Sequence, residues 1–388
     1  MTIKNTAPWF SEDLKEQYLE ISRDILDSGE LVCGPYTSML EEEVAKVCQT
    51  KFSVCVSSGT AALEIIFKYL NVEDHEILIP NNTFISTLYA VKNAKAVPIL
   101  TDIDPHTFCI DIEDVRKKIT HRTKVLLLVH IAGYVPSNVG ELKRLCDEHQ
   151  IFLVEDSSHA FGASYGEHKA GGIGLASACS LYPTKIVTGG VGGLVSTNDR
   201  KLYEFALLLR SHGNDLNGKN QYISSNWLMS EFSALLCLLQ VRDINNILSY
   251  RNRIAAAYNE IIAKYEHFFS VQPCDDNRIH PFYKFIVKCK DKRMKTQLLD
   301  FFQRQGIQLG HCYEVLISQH PSTVELFGAE SLQNSLKFSE SHITLPCHLG
   351  MGHSDINLIC NTFEDFLVRY EHSLSYKRCS EDKLEVGP

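Results

Sequence analysis

Short apolar runs alternate with amphipathic stretches along the first 156 residues. Strands are predicted for the runs rich in β-branched residues at 53–58, 76–80, 96–103, 124–131 and 151–156. Helices are predicted where apolar residues recur every three or four positions, at 61–70, 85–94, 112–119 and 139–149. Strands separated by helices pair in parallel, so we expect an α/β fold with a doubly wound, mostly parallel sheet. Ligands bind such sheets at the carboxyl ends of the strands.

The rhythm of the chain changes after about residue 240. We predict one long helix over 241–265, a strand in 280–289, a helix over 292–305, a strand in 342–347 and a helix over 354–370. This order predicts a large domain over 1–240, which includes the N-terminal segment. A connecting helix and a smaller C-terminal α/β domain are predicted over 241–388.

The composition excludes several classes of protein. The 388 residues are 44% hydrophobic, which is enough for a sizeable core. The net charge of −9 argues against a nucleic-acid-binding surface, because such surfaces need basic residues to neutralise phosphates. No apolar stretch reaches the roughly 18–20 residues of a membrane span, and the first residues lack the apolar core of a secretory signal. The 13 cysteines lack zinc-ligand spacing. We expect a cytoplasmic protein with no metal site and with neither nucleic acid nor membrane as a partner.

Three segments at predicted strand ends carry candidate chemistry. Residues 56–64 pass from strand to helix through small residues, which let an anion approach the free N–H groups of a helix start. Asp156 ends a buried strand and His159 follows three residues later, while Lys185 lies in a turn before the glycines of 189–193. Taken singly, the default interpretations are an N-cap for the first segment, a turn-capping carboxylate for Asp156 and a solvated surface group for Lys185.

Together the three segments supply what pyridoxal 5'-phosphate requires. This cofactor needs an amine for an imine bond, an acid at its pyridine nitrogen and an anion site for its phosphate. An anion seat, Asp156 and Lys185 occur in the chain in that combination. The sequence therefore favours an enzyme that uses this cofactor.

Longer motifs follow one another along some nine-tenths of the chain. They read ELVCGPYTSMLEEEVAK (30–46), SSGTAAL (57–63), PNNTFIST (80–87), PILTDIDPHTFCID (98–111), EDSSHAFGASYG (155–166), SLYPTK (180–185), GGVGGLVSTND (189–199), SNWLMSEFSALLCLLQ (225–240) and HITLPCH (342–348). In these motifs the chain resembles the DegT/DnrJ/EryC1/StrS family of pyridoxal-phosphate-dependent nucleotide-sugar aminotransferases. The resemblance implies fold type I of the pyridoxal-phosphate enzymes, which is aspartate aminotransferase-like.

The resemblance also implies roles for individual residues. Lys185 would hold the cofactor as an imine and move a proton between substrate and cofactor, and Asp156 would pair with the ring nitrogen. His159 stands where many family members have Gln, near the ring and its phenolic oxygen, and a histidine there hints at amination of C4. The alternative is a half-buried histidine that only packs.

Further cofactor contacts follow from the same resemblance. Gly59, Thr60 and Ser180 would bind the phosphate, and Phe84 would stack on the cofactor ring. Asn226 would reach the phosphate from the neighbouring subunit, which implies a homodimer with active sites at the subunit interface.

The implied reaction takes the amino group of L-glutamate to a nucleotide-linked keto-deoxy sugar. A 4-keto-6-deoxyhexose is favoured, giving an amino sugar for surface polysaccharide or glycoside biosynthesis. The alternatives are a 3-keto sugar aminotransferase and a cofactor-binding regulatory homologue without turnover.

The chain departs from the family pattern at two places. Residues Trp227-Leu228 replace a common Tyr-Arg pair, and positions 314, 315 and 318 hold Glu, Val and Ser after Tyr313, where proline and histidine are usual. Candidate cations for the substrate diphosphate are Lys219, Arg251 and Arg253, and each is alternatively a solvated helix charge.

Overall fold

The computed structural model describes residues 2–214, 218–327 and 332–381, with side chains described as far as residue 372. Its strands are β1 (Phe52–Val56), β2 (Glu76–Pro80), β3 (Val97–Thr101), β4 (Thr123–Val129), β5 (Phe152–Asp156), β6 (Ser164–Tyr165), β7 (His168–Lys169), β8 (Ala176–Ser180), β9 (Gly193–Thr197), β10 (Phe269–Ser270), β11 (Arg278–Ile279), β12 (Phe285–Cys289) and β13 (His342–Leu345). The five strands predicted before residue 157 are all present, each beginning within two residues of its predicted start.

The helices are α1 (Glu12–Ser28), α2 (Pro35–Cys48), α3 (Gly59–Tyr69), α4 (Ile85–Asn93), α5 (Ile112–Lys118), α6 (Val139–His149), α7 (Arg200–Arg210), α8 (Glu231–Arg242), α9 (Ile244–Ala263), α10 (Lys292–Arg304), α11 (Val324–Phe327), α12 (Gln333–Ser341) and α13 (His353–Glu381). The four helices predicted before residue 157 are present. Among the helices in the described part of the chain, none combines the length and apolar character that a membrane crossing requires.

Two sequence predictions beyond residue 240 need correction. The single helix predicted over 241–265 is two helices, because Asp243 leaves helical geometry (φ −100°, ψ 13°) and its N–H group caps the end of α8. The strand predicted in 280–289 begins only at Phe285, because Phe282 has a φ of 44°, which an extended strand cannot contain.

The large sheet has the strand order β1-β9-β8-β5-β4-β2-β3. Neighbouring pairs from β8 to β3 are parallel, whereas β9 runs antiparallel to both β1 and β8. Helices cover both faces of this sheet. Ile65 of α3, Leu88 of α4 and Leu209 of α7 are buried in one apolar cluster, and Val115 of α5 and Leu142 of α6 in another. The predicted doubly wound, mostly parallel α/β sheet is confirmed.

A third apolar cluster is formed by the later part of the chain. Strands β10, β12 and β13 form a small antiparallel sheet, and its core contains Ile254 of α9, Phe302 of α10 and Phe363 of α13. The N-terminal residues also pack here, since Ile3 pairs with Ile307 and the Asn5 side-chain amide donates to the Thr344 carbonyl (2.8 Å). The predicted division of the chain at 240/241 stays a prediction.

Candidate active site

A cavity of about 420 Å³ lies at the carboxyl edge of the large sheet. Val129, Asp156 and Ser180, which end β4, β5 and β8, all line it. Strand pairing sets their spacing, since Val129 pairs with Asp156 in register and Asp156 with Ala178. Seven of the eight residues predicted to contact the cofactor line this cavity, namely Lys185, Asp156, His159, Gly59, Thr60, Phe84 and Ser180.

The start of α3 forms the floor of an anion seat. Ser58 caps the helix in an extended conformation, and its hydroxyl accepts the Ala61 N–H (3.1 Å). The first N–H groups of a helix have no carbonyl partner within it, so those of Gly59 and Thr60 are available to an anion. A Cβ on Gly59 would lie 2.9 Å from the Ser180 Cβ. The glycine therefore lets the start of α3 pack directly against β8.

Two adjacent carboxylates of β5 have different surroundings because successive strand residues face opposite sides of a sheet. Glu155 is fully buried, accepts three backbone N–H groups from residues 171–174 and lies 2.9 Å from the His130 ring. Asp156 faces the cavity, and its Oδ1 accepts the Ser158 N–H (3.0 Å). Asp156 thus caps a turn and also presents a carboxylate to the cavity.

Lys185 follows β8 in a turn closed by a hydrogen bond from its N–H to the Tyr182 carbonyl (2.9 Å). The glycines after it allow the chain to fold back, because Gly190 and Gly192 have φ values of 81° and 148°. The Lys185 side chain is half-buried, and its Nζ lies 4.8 Å from the centroid of the Tyr283 ring. The amine is thereby kept inside the cavity.

His159 is buried and contacts groups on both of its ring nitrogens. The Ala132 N–H donates to Nδ1 (3.3 Å), and Nε2 lies 3.0 Å from the Tyr313 hydroxyl. Burial, with the charges of Lys185 and Lys284 adding to it, lowers the pKa of His159 well below its usual value. The ring is therefore neutral at physiological pH.

Two tyrosines complete the cavity. The Tyr283 ring stacks on His159 with centroids 4.2 Å apart, and its hydroxyl lies 3.0 Å from the Thr184 hydroxyl. Tyr283 was missed from the sequence because it lies in an apolar run that reads as core, and Tyr313 was noted only through the resemblance. We call Tyr283 and Tyr313 the tyrosine side, and Gly59, Asp156 and Lys185 with their strand ends the sheet side.

Phe84 and Asn226 occupy different positions relative to the cavity. Phe84 precedes α4 at the cavity mouth, is 54% exposed, and its ring centroid lies 6.1 Å from that of Tyr313. Asn226 is exposed, does not line the cavity, and its Oδ1 accepts the Leu228 N–H (3.3 Å). Its contact with the site of a neighbouring subunit stays a prediction.

The three cations considered for a diphosphate do not line the cavity. The prediction that Arg251 binds the diphosphate or is a solvated helix charge is wrong. Arg251 is buried, and its guanidinium donates to the backbone carbonyls of Pro281, Phe282 and Tyr283. It supports the backbone below the Tyr283 ring instead of facing a ligand. Arg253 lies over the Tyr250 ring in a separate groove, and Lys219 is exposed outside the cavity.

Known proteins share the sequence pattern and the fold of this chain. The model of the DegT/DnrJ/EryC1/StrS aminotransferase family matches residues 12–364. The erythromycin biosynthesis sensory transduction protein EryC1 of Saccharopolyspora erythraea is 33% identical over 81% of this chain and 87% of its own. UDP-4-amino-4,6-dideoxy-N-acetyl-beta-L-altrosamine transaminase of Helicobacter pylori is 27% identical over 94% and 98%. The solved structure of Helicobacter pylori PseC, an aminotransferase involved in the biosynthesis of pseudoaminic acid, has a TM-score of 0.86 at 26% identity, covering 94% of this chain and 99% of its own. The chain therefore belongs to the DegT/DnrJ/EryC1/StrS aminotransferase family.

Proposed function

We propose that this sugar aminotransferase transfers the amino group of L-glutamate to a nucleotide-linked keto-deoxy sugar, with a 4-keto-6-deoxyhexose as the favoured acceptor. One observation carries the proposal: Lys185, Asp156 and the start of α3 surround a single cavity at the carboxyl edge of the sheet. These are the amine, the acid and the anion seat that the chemistry needs.

The cofactor is pyridoxal 5'-phosphate, and the residues of the cavity fit it. The first N–H groups of α3, which lie beside Ser180, offer a seat for a phosphate. Asp156 offers a carboxylate to the ring nitrogen, and Lys185 offers an amine to the aldehyde carbon. When bound, this cofactor supplies an electron-withdrawing ring that stabilises negative charge at the reacting carbon.

The residues of the chain have distinct tasks in this proposal. The Lys185 Nζ is the group that moves a proton at the substrate carbon, because it is the amine that lines the cavity. The Asp156 carboxylate keeps a proton on the ring nitrogen by opposing its positive charge. Neutral His159 adds no positive charge beside Lys185, and its ring fixes the position of Tyr283 by stacking.

The choice of acceptor rests on the relatives and on His159. The name of the Helicobacter pylori relative contains a UDP-linked 4-amino-4,6-dideoxy sugar, which supports amination at C4 of a nucleotide-linked sugar. The product would then be an amino sugar for polysaccharide or glycoside biosynthesis. The EryC1 relative is named a sensory transduction protein. The test must therefore distinguish an aminotransferase from a regulatory homologue without turnover.

A homodimer with shared sites is part of the proposal. Apolar side chains are exposed at and near the cavity mouth, with Phe84 54% and Tyr182 57% exposed, and Ile223, close to Asn226, is 98% exposed. Large apolar groups exposed together, as Phe84 and Tyr182 are at the cavity, are typical of a surface that another chain covers. Mixing Lys185→Ala with Asn226→Ala should give more activity than the sum of the two separate variants if each site uses residues of both subunits. Absence of any restored activity would argue against shared sites.

The function is tested with the purified protein, pyridoxal 5'-phosphate, L-glutamate and a panel of UDP-, dTDP- and GDP-linked 3-keto and 4-keto sugars. We expect release of 2-oxoglutarate with glutamate alone and formation of an amino sugar with a 4-keto acceptor. Amination of only a 3-keto acceptor would overturn the C4 assignment. A cofactor absorbance that glutamate leaves unchanged, without 2-oxoglutarate, would favour the regulatory homologue.

A further inference from the structure

Tyr313 has a backbone conformation that tyrosine rarely adopts. Its φ is 64°, in the left-handed region that is unfavourable for residues with a Cβ. The surrounding structure must stabilise such a residue, and strained residues of this kind are concentrated at functional sites. The Tyr313 ring lines the cavity beside Phe84 and His159.

The hydrogen bonds of His159 fix the direction in which the Tyr313 hydroxyl points its proton. Because the Ala132 N–H donates to Nδ1, that nitrogen carries no proton. A neutral imidazole then has its proton on Nε2, which donates to the Tyr313 oxygen 3.0 Å away. The hydroxyl proton of Tyr313 therefore remains for an acceptor on a molecule bound in the cavity.

The backbone on both sides of Tyr313 is held by contacts to other elements. Before it, Gly310 exchanges hydrogen bonds with Thr344 of β13 (3.0 and 2.7 Å), and the Cys312 N–H donates to the His342 ring (2.9 Å). After it, the Glu314 carboxylate accepts a hydrogen bond from Lys295 of α10.

The Lys295–Glu314 pair is the contact that follows Tyr313 directly. Lys295 is 5% exposed, and its Nζ lies 2.9 Å from Glu314 and 3.0 Å from the Ser339 carbonyl. A buried lysine without a carboxylate is costly, so this cation favours Glu314 in its observed place, where the Glu314 side chain is 52% exposed. Position 314 is also where the chain departs from the proline and histidine pattern of the resemblance, so this ion pair is a feature of the chain itself.

We propose that Tyr313 donates a hydrogen bond to the sugar substrate and that the Lys295–Glu314 ion pair is its positioning device, holding the hydroxyl against His159. Tyr313 is the group that contacts substrate, and Glu314 and Lys295 act through it. The proposal rests on the proposed aminotransferase function for its substrate and on the hydrogen-bond geometry for its positioning step.

The test compares three full-length variants with the unchanged protein. Tyr313→Phe removes the hydroxyl and keeps the ring, and Glu314→Gln removes the charge that pairs with Lys295. Asp300→Asn is the matched control, because it removes the exposed Asp300–Arg304 pair on the same helix. Each holoenzyme is assayed for kcat and KM of both half-reactions, and each cofactor-free chain is labelled with ¹⁵N-histidine, the His159 signals being assigned with His159→Gln.

We expect Tyr313→Phe to lower kcat/KM for the sugar on the order of tenfold, as the loss of one hydrogen bond predicts, while the glutamate half-reaction changes less. In Tyr313→Phe, the ¹⁵N signal of His159 Nε2 should shift relative to that of the unchanged protein. Glu314→Gln should lower the same kcat/KM severalfold and move the Nε2 signal towards that of Tyr313→Phe, and Asp300→Asn should change neither.

Two results would overturn the proposal. Full kcat/KM for the sugar in Tyr313→Phe would exclude the donor role, and identical behaviour of Glu314→Gln and Asp300→Asn would exclude the positioning role. If the unchanged protein transaminates no sugar, the proposed function fails and the donor role with it. The histidine signals of the cofactor-free chain still decide whether Glu314 positions Tyr313, because they require no turnover.

Discussion

On the sheet side of the cavity, Gly59 begins a helix, Asp156 ends a strand and Lys185 lies in the turn that follows β8. On the tyrosine side, Tyr283 and Tyr313 come from irregular segments of the later part of the chain. Backbone pairing fixes the sheet side, as where Ser180 opposes Gly193 and Val129 opposes Asp156. Side-chain contacts between remote residues fix the tyrosine side, since Tyr313 meets His159 across 154 positions and Tyr283 meets Thr184 across 99.

The two sides should differ in how strongly single substitutions disturb them. A strand end is held by many backbone hydrogen bonds that no single side-chain substitution removes. The tyrosine side depends on individual side chains such as Asn5, which accepts from Lys284 and donates to Thr344. We therefore expect the sheet side to determine whether chemistry occurs and the tyrosine side to adjust its rate and specificity.

The strongest way to break this comparison is Lys185→Ala. Loss of the amine should lower turnover on the order of 10³-fold or more, since a positioned proton-transfer group typically contributes 10²–10⁴-fold. The measurement is 2-oxoglutarate release, with thermal unfolding to show that the fold is intact. Lys201→Ala, at an exposed lysine, is the control. Retained transamination by Lys185→Ala would refute the assigned role.

The next largest effect is expected from Gly59→Ala. Its Cβ would lie 2.9 Å from the Ser180 Cβ and would push the first N–H groups of α3 away from β8, so we expect about tenfold weaker binding of pyridoxal 5'-phosphate. Fluorescence titration of the cofactor-free protein measures this. Gly140→Ala is the matched control, because a Cβ there has nothing nearer than 3.8 Å. If Gly59→Ala and Gly140→Ala bound pyridoxal 5'-phosphate with equal affinity, the phosphate would have to bind at another position.

Acid sensitivity sharpens the comparison at His159, which follows β5 in the chain and contacts both tyrosines. Its pKa falls on folding because the ring is buried, so the neutral form stabilises the fold. This stability is complete above the unfolded pKa of about 6.5 and decreases as the pH falls towards the folded pKa.

Urea unfolding at pH 7 and pH 5 should therefore show a larger loss of unfolding free energy in the unchanged protein than in His159→Gln. The difference cannot exceed about 1.4 kcal/mol per pH unit for one proton. The other buried histidines are common to both proteins and cancel. Equal losses would mean that His159 keeps an ordinary pKa in the folded chain.

The smallest effect is expected from Tyr283→Phe. The substitution removes the hydrogen bond to Thr184, the neighbour of Lys185, and keeps the ring that stacks on His159. One such bond contributes about 1 kcal/mol, so we expect kcat to fall about threefold to fivefold. Tyr265→Phe, on a tyrosine that does not line the cavity, is the control. A loss as large as that of Lys185→Ala would erase the distinction between the two sides.

The same division explains what could be predicted from the sequence. Alternating apolar runs are local signals, so β1 to β5 and the helices between them were predicted, and with them the edge where Asp156 and Ser180 lie. The glycines that return the chain after Lys185 were visible too, but the reversal that makes β9 antiparallel depends on pairing with β1 and β8. The spacing of apolar residues along the chain does not indicate that pairing.

The tyrosine side lay beyond local reasoning for a different reason. Tyr283 belongs to an apolar run, and only its meeting with Thr184 and His159 distinguishes it from a core residue. Arg251 was a candidate ligand cation because nothing near it in the chain indicates that carbonyls 30 to 32 positions later accept its donors. Long-range side-chain contacts of this kind have no signature in spacing or composition.

The neighbouring carboxylates of β5 carry a consequence for evolution and engineering. Glu155 accepts hydrogen bonds from the backbone of residues 171–174 and contacts His130, whereas Asp156 faces the cavity. Inserting or deleting one residue within this strand would exchange the faces on which the two acids stand. In a library selected for activity, insertions and deletions in β5 should therefore be lost, whereas many single substitutions survive. The reason is that the position of each acid along the strand decides which face of the sheet it lies on.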